Sequence, residues 1–160
     1  MKVNNDSSAR KANFRRAKVL VIDDNKDHWV VIQKAMLTIL PEVTPVWVDT
    51  PEQALALLKE ASYQEWDMPK LILLDLYLPE RNDGWQLLKQ IKAMSSPFDH
   101  IPIVMLSSSE TNIDITEAYT LGISSYLVKP IDFKDWLTYF TEIRQYWWET
   151  VTLPLLQYKL

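Results

Sequence analysis

Short aliphatic runs alternate along the chain with longer segments whose apolar residues recur every three or four positions. Lys18 to Asp23 (KVLVID) is a β-branched run of strand length, and Asp27 to Leu40 follows with Trp29, Ile32, Ala35, Met36 and Ile39 at helical spacing. Pro41 stops that helix. Val43 to Val48 reads as a second strand, and Thr50-Pro51 opens a second helix, with proline in its first turn, that runs to about Glu60. Leu71 to Asp75 (LILLD) is apolar up to its last residue, the pattern of a central strand covered on both faces. Next come a helix from about Gly84 to Met94, a strand over Ile101 to Leu106, and a helix over Glu110 to Leu121 closed by Gly122. A strand over Ser125 to Val128 and a helix over about Phe133 to Trp148 end the series. Five strand-then-helix units predict one doubly wound α/β domain with a parallel sheet, because parallel neighbours need crossover helices and those crossovers are right-handed. The carboxyl ends of the strands then share one edge, where such sheets bind ligands.

Composition narrows what that edge can do. The 160 residues suffice for one domain and not for two. Only Gly84 and Gly122 are glycine, which excludes the several close backbone approaches of a P-loop or a dinucleotide fingerprint. With no cysteine there is no disulfide, thiolate zinc site, iron–sulfur cluster or cysteine nucleophile, and a cytoplasmic location is expected. The longest apolar runs fall far below the ~20 residues of a membrane helix, and the N-terminus has no hydrophobic signal core, so no membrane partner is expected. Net charge is −4, but six basic residues stand against one acid in residues 1 to 18, leaving 11 basic and 20 acidic residues in the remainder. A body near −9 repels nucleic acid. Residues 1–17, basic and poor in apolar positions, read as a flexible, solubilising arm.

Chemistry gathers at the predicted strand ends. The first strand ends in Asp23-Asp24, the third in Asp75, the fourth runs into Ser107 and the fifth into Lys129-Pro130. Converging carboxylates repel, so such a site takes protons or a cation. Oxygen ligands without His or Cys suit a hard ion, and few carboxylates with water and phosphate completing the shell favour Mg²⁺. A lysine and a hydroxyl across the crevice suit a tetrahedral dianion, and together the set describes phosphoryl transfer to a carboxylate. Taken one at a time, each Asp reads as a helix N-cap, Ser107 as a turn residue and Lys129 as a solvated cation. Their joint occurrence on four ends of one edge favours the site.

The stretches VLVIDDN, LLDLYLP, LSSS and SSYLVKP resemble, in order and spacing, the four signatures of response regulator receiver domains, over residues 18–148. Within that family, the single-domain receivers associated with phytochromes look closest, through LSSSETNIDITEAYTLGISSYLVKP and an aromatic last helix containing YWW. The resemblance implies a flavodoxin-like sheet of strand order 2-1-3-4-5. It implies Asp75 as phosphoacceptor, Asp24 as a direct Mg²⁺ ligand, Asp23 as a water-mediated one and the Tyr77 backbone carbonyl as a further ligand. Lys129 would neutralise the phosphoryl oxygens, Ser107 would hydrogen-bond one, and Tyr126 would turn inward as Ser107 moves. The peptide before Pro130 is commonly cis in the family, which would help aim Lys129 inward, but the sequence does not fix its isomer here. A sensor histidine kinase, of phytochrome type by the same resemblance, is the implied donor. One departure stands out: Gly84 lies nine residues after Asp75 where the family usually has eight, so the loop through Pro79 to Asp83 is longer by one.

Only residues 149–160 follow the domain, too few for an output domain, so output passes to a downstream protein that the sequence does not identify. The surface expected to carry it comprises the fourth crossover helix, strand five and the fifth crossover helix, Glu110 to Trp148, and could also form a homodimer. In the last helix Phe133, Trp136, Leu137, Phe140, Ile143 and Trp147 form the stripe expected to be buried. Tyr139, Tyr146 and Trp148 lie off it, either as a partner surface or under a tail, VTLPLL, that folds back. His28 and His100 have no Cys or His companion and read as surface residues. Two other functions remain: an interaction module that works without phosphorylation, and a phosphatase forming an aspartyl phosphate. Such phosphatases typically use a second aspartate two residues after the nucleophile, where this chain has Tyr77.

Overall fold

The computed structural model of the protein describes residues 8–63 and 67–154. Strands β1 (Lys18–Ile22), β2 (Thr44–Val48), β3 (Leu71–Asp75), β4 (Ile103–Ser107) and β5 (Ser125–Val128) form one parallel sheet in the order β2-β1-β3-β4-β5. Its helices are α1 (Ser8–Phe14), α2 (Lys26–Ile39), α3 (Pro51–Ala61), α4 (Arg81–Lys92), α5 (Asn112–Thr120) and α6 (Phe133–Ile143). Alternation along the strands splits the core in two. Leu20, Ile22, Ile72, Leu74, Ile103 and Met105 pack with Leu58, Leu87 and Ala118 of α3, α4 and α5. Val19, Val21, Leu71, Leu73, Val104 and Leu106 pack with Ile32, Met36, Trp136 and Phe140 of α2 and α6. Every residue of β3 and β4 is buried, as the uniformly apolar LILL and IVML require.

Register brings the functional ends level. Ile22 pairs with Val48 and Leu74, Asp75 with Leu106, and Ser107 with Val128. Asp23, Asp75, Ser107 and Lys129 therefore leave the sheet at the same edge.

Three expectations about helices are corrected. α4 begins at Arg81, three residues before Gly84, where the Asp83 carboxylate accepts the Glu80 N–H at 3.1 Å and starts the helix early. Gly84 then sits in the first turn against the exit of β3, where a Cβ would fall 1.8 Å from the Leu76 carbonyl oxygen. The additional residue of the loop is thus taken up ahead of the glycine.

The last helix is α-helical only to Ile143 and continues as a π-helical turn over Arg144–Thr150. A π turn bonds i to i+5, so the residue below Ile143 is Trp148 and not Trp147. Trp148 is accordingly fully buried and Trp147 only partly, while Phe133 is exposed and Tyr146 is 55% exposed. The tail does fold back as far as it is described, with Leu153 buried beside Trp148 and Val151.

Residues 8–17 of the expected arm hold α1, followed by a turn in which Arg16 has φ 48°. Asn13, 2% exposed, gives both amide hydrogens to the Trp148 and Val151 carbonyls at 3.2 and 2.6 Å and accepts the Leu153 N–H at 3.0 Å. That long-range pairing fixes α1 against the tail in a way no local periodicity reports. Residues 1–7 of the arm and 155–160 of the tail lie outside the described residues.

Candidate functional site

Asp23 stands one residue past β1, 2% exposed, and its two carboxylate oxygens have separate partners. Oδ1 accepts the Asn25 N–H at 2.9 Å, and Oδ2 accepts from Lys129 Nζ at 2.7 Å. Asn25 is in turn the N-cap of α2, its Oδ1 accepting the N–H groups of Asp27 and His28 at 2.9 and 3.2 Å. Indole Nε1 of Trp47 donates to the Asp23 carbonyl at 2.8 Å, and the Trp47 ring stacks on Trp29 at 5.6 Å. The peptide turn carrying Asp23 and Asp24 is therefore held on several sides.

Asp75 ends β3 on the crevice floor. Lys129 Nζ lies 3.2 Å from its Oδ2, and the Tyr77 N–H donates to Oδ1 at 3.4 Å. Burial raises its carboxyl pKa to about 7, Lys129 opposing that rise and Asp23 adding to it. Asp24 is exposed, and its pKa is raised by partial desolvation and then by the charge of Asp23. Oxygen atoms of Asp23, Asp24 and Asp75 lie within 4.8 Å of one another, so the three can hold one metal ion. The donors fit a hard divalent cation: all are oxygen, two are buried and one is open to solvent. One lysine against three carboxylates leaves negative charge for such an ion to offset.

Lys129 is aimed inward by its partners, with a side chain 7% exposed. The bond before Pro130, whose isomer the sequence left open, is not cis; the cis X-Pro bonds among the described residues are Leu78-Pro79 and Ser96-Pro97. Ser107 is fully buried at the end of β4, its Oγ accepting the Ser109 N–H at 3.1 Å and its carbonyl accepting the Lys129 N–H at 2.8 Å. Tyr126 is half-buried, and its hydroxyl donates to the Ser109 carbonyl at 2.8 Å. Asp23, Asp24, Asp75 and Lys129 are thus brought into direct contact range, Ser107 shares their edge, and Tyr126 reaches it through Ser109.

Two groups of residues escaped the sequence reading. His28, taken there for a surface residue, lies 2.9 Å by its Nδ1 from Lys129 Nζ. Asp114, buried in the first turn of α5, accepts the Ser109 hydroxyl at 2.5 Å and pairs with Arg81 at 3.2 Å. Arg81 in turn donates to the Tyr77 hydroxyl at 3.3 Å. A lone Asp three residues into a helix reads as dipole complement, and nothing local marks it as buried.

A model of the response regulator receiver domain matches residues 19–141. The chain belongs to the response regulator receiver family. Rcp1 of Synechocystis is 32% identical to this receiver over 137 residues, covering 85% of this chain and 92% of Rcp1. The Mn²⁺-bound structure of Rcp1 aligns with a TM-score of 0.73 over 86% of this receiver and 99% of that chain. The phosphorylated cyanobacterial phytochrome response regulator RcpA, also 32% identical, aligns with a TM-score of 0.76 over 86% of this receiver and 98% of that chain. FilR2 of Methanothrix harundinacea, a probable methanogenesis regulatory protein, is 33% identical over 129 residues, covering 81% of this chain and 82% of FilR2. The receiver is a two-component signalling domain with a flavodoxin-like fold, and its likeness to Rcp1 and RcpA extends over nearly their whole lengths. No helix among the described residues is long and apolar enough to cross a membrane.

Proposed function

We propose that this receiver accepts one phosphoryl group on Asp75 from a sensor histidine kinase, of the phytochrome type, in the cytoplasm. The observation that carries the reading is the burial of Asp75 at a strand end with Lys129 at 3.2 Å and two further carboxylates alongside. Burial raises the basicity of the Asp75 carboxylate, and Lys129 keeps part of it ionised and oriented for attack on phosphorus. The Asp75 oxygen forms the new P–O bond as the P–N bond to the kinase imidazole breaks and returns its electron pair to nitrogen. Lys129 and Ser107 then hydrogen-bond the phosphoryl oxygens, a charge-assisted pair of contacts in a nearly dry crevice. Asp24 and Asp75, the Tyr77 carbonyl and, through water, Asp23 would hold Mg²⁺. The ion when bound screens the approach of two anions and stabilises charge on the transferring group.

Output would follow from Ser107 drawing its loop toward the phosphoryl group. The Ser109 carbonyl moves with that loop, which frees the Tyr126 hydroxyl and reshapes the face of α5, β5 and α6. A downstream protein, or a second copy of the chain, would dock on that face. Sedimentation with and without phosphorylation distinguishes the two.

The test is intact mass after incubation with acetyl phosphate, with Mg²⁺ or with EDTA, for the wild type and Asp75→Asn. One phosphoryl adduct in the wild type with Mg²⁺ alone is expected. An adduct that persists in Asp75→Asn or in EDTA sinks the assignment, and no adduct in any sample leaves a phosphorylation-independent interaction module.

A further inference from the structure

The Lys129 ammonium, with three N–H donors, has three close partners: it donates to Asp23 Oδ2 at 2.7 Å, faces His28 Nδ1 at 2.9 Å and is ion-paired with Asp75 Oδ2 at 3.2 Å. Its side chain is 7% exposed, so the protein supplies almost all of its solvation. Two of those partners have other work in the proposed reaction. Asp75 gives up an oxygen to the phosphoryl group, and Asp23 lies beside the cation. His28 alone among the three is neither phosphoacceptor nor member of the carboxylate cluster whose oxygens lie within 4.8 Å of one another.

We propose that His28 is a positioning residue, which through Nδ1 holds the Lys129 ammonium in the crevice throughout phosphoryl transfer. The inference rests on the phosphoacceptor reading above. Facing the ammonium at 2.9 Å, Nδ1 can serve it as a lone-pair acceptor, the role open to the Nε2–H tautomer. The nearest Asp23 oxygen lies farther off, at 3.7 Å, so the imidazole serves the lysine first. Its place is dictated locally. The Asn25 side chain caps α2 by accepting the His28 N–H at 3.2 Å, while the Asn25 N–H binds Asp23 Oδ1, so one short turn delivers a carboxylate and an imidazole to the same ammonium. The His28 side chain is 42% exposed, at the rim of the site, so replacing it leaves the core intact.

Asparagine can present its carbonyl oxygen near the position of Nδ1, whereas glutamine reaches toward that of Nε2 and leucine offers no acceptor. His28→Leu and His28→Gln are expected to slow phosphorylation by acetyl phosphate with Mg²⁺ about tenfold, the loss of one charge-assisted hydrogen bond in the transition state. His28→Asn is expected to stay within about twofold of the wild type. In parallel, the Lys129 ammonium is followed by ¹⁵N-detected NMR without donor or metal. A slowly exchanging resonance is expected in the wild type and His28→Asn, and a broadened one in His28→Leu and His28→Gln. Equal rates in the wild type and His28→Leu, an Asn variant as slow as Leu, or a resonance unchanged by His28→Leu would overturn the proposal. If the wild type takes no phosphoryl group, the phosphoacceptor reading falls, and the ammonium resonance still decides whether His28 holds Lys129.

Discussion

The two edges of the sheet bury polar groups by opposite rules. At the amino edge, Asn13 has both amide hydrogens and its oxygen paired, and Lys70 donates to the Ala12 and Asn13 carbonyls that end α1. Arg144 binds both Glu42 oxygens at 2.7 and 2.9 Å, Glu149 at 2.7 Å and the Ile39 carbonyl at 3.2 Å, and its guanidinium lies over the Phe14 ring. At the carboxyl edge, one lysine and one partly exposed imidazole face three carboxylates, and Asp75 is left with its pKa raised to about 7. Pairing of this kind stabilises a fold and leaves little for a ligand to gain, although the buried Trp148 indole N–H, in the segment that Asn13 binds, has no hydrogen-bond partner among the described residues. Incomplete neutralisation costs stability and creates the differential affinity on which a switch depends.

The comparison is broken most directly at the amino edge. Asn13→Leu strands two carbonyls and one N–H away from water and should destabilise the protein by about 2–4 kcal/mol in urea unfolding. The rate of phosphorylation should be unchanged, and a shift beyond about twofold would show that the edges are coupled.

Asp75→Asn tests the other edge and should have the opposite sign. Because the folded carboxyl titrates near 7 and the unfolded one near 3.8, the folded state binds more protons in between. Stability of the metal-free wild type should therefore fall as pH rises from about 4 through 7. The amide has no charge to bury, so Asp75→Asn should flatten that slope and be more stable at pH 7.5 by about 1 kcal/mol or more. A variant with the wild-type pH dependence in EDTA would remove the claim that the buried Asp75 carboxyl is its source.

The smallest expected effect on stability, and the sharpest on signalling, is that of Ser107→Ala. It should accept phosphate on Asp75 yet show a weakened change in amide exchange across Glu110 to Trp148, because the loop loses the hydroxyl that reports the phosphoryl group. Lys129 alone supplies roughly 1.5–3 kcal/mol by a charge-assisted bond, short of the ~5.5 kcal/mol that a 1:99 to 99:1 shift requires. An exchange response equal to the wild type would place the switch elsewhere, and the Asp114–Ser109–Tyr126 chain of hydrogen bonds is where to look.

Much of the working edge was legible because its residues are adjacent to strands whose identity is written in local pattern. LILLD and IVML are too apolar for anything but buried strands, and parallel connection forces their ends to one side, which brings Asp23, Asp75, Ser107 and Lys129 together. The loop with one added residue was visible as a count. Where it is absorbed was not, since that depends on Gly84 meeting the Leu76 carbonyl and on Asp83 closing the first turn.

The sequence by itself determined the five strands, their parallel arrangement and the chemical character of the site, because period, length and residue type are local properties read without neighbours. Only the tertiary structure decided which polar residues find one another across the fold. His28 is separated from Lys129 by 101 positions and Asn13 from Leu153 by 140, so neither pairing leaves a mark on the periodicity around it. The π turn that buries Trp148 in place of Trp147 is of the same kind, a one-residue change of phase in a segment whose carbonyls the N-terminal helix binds through Asn13 and whose buried tryptophan shares a core with Leu153 of the tail. Hydrogen-bond partners and helix phase are settled by what is packed alongside, and packing is a property of the folded chain as a whole.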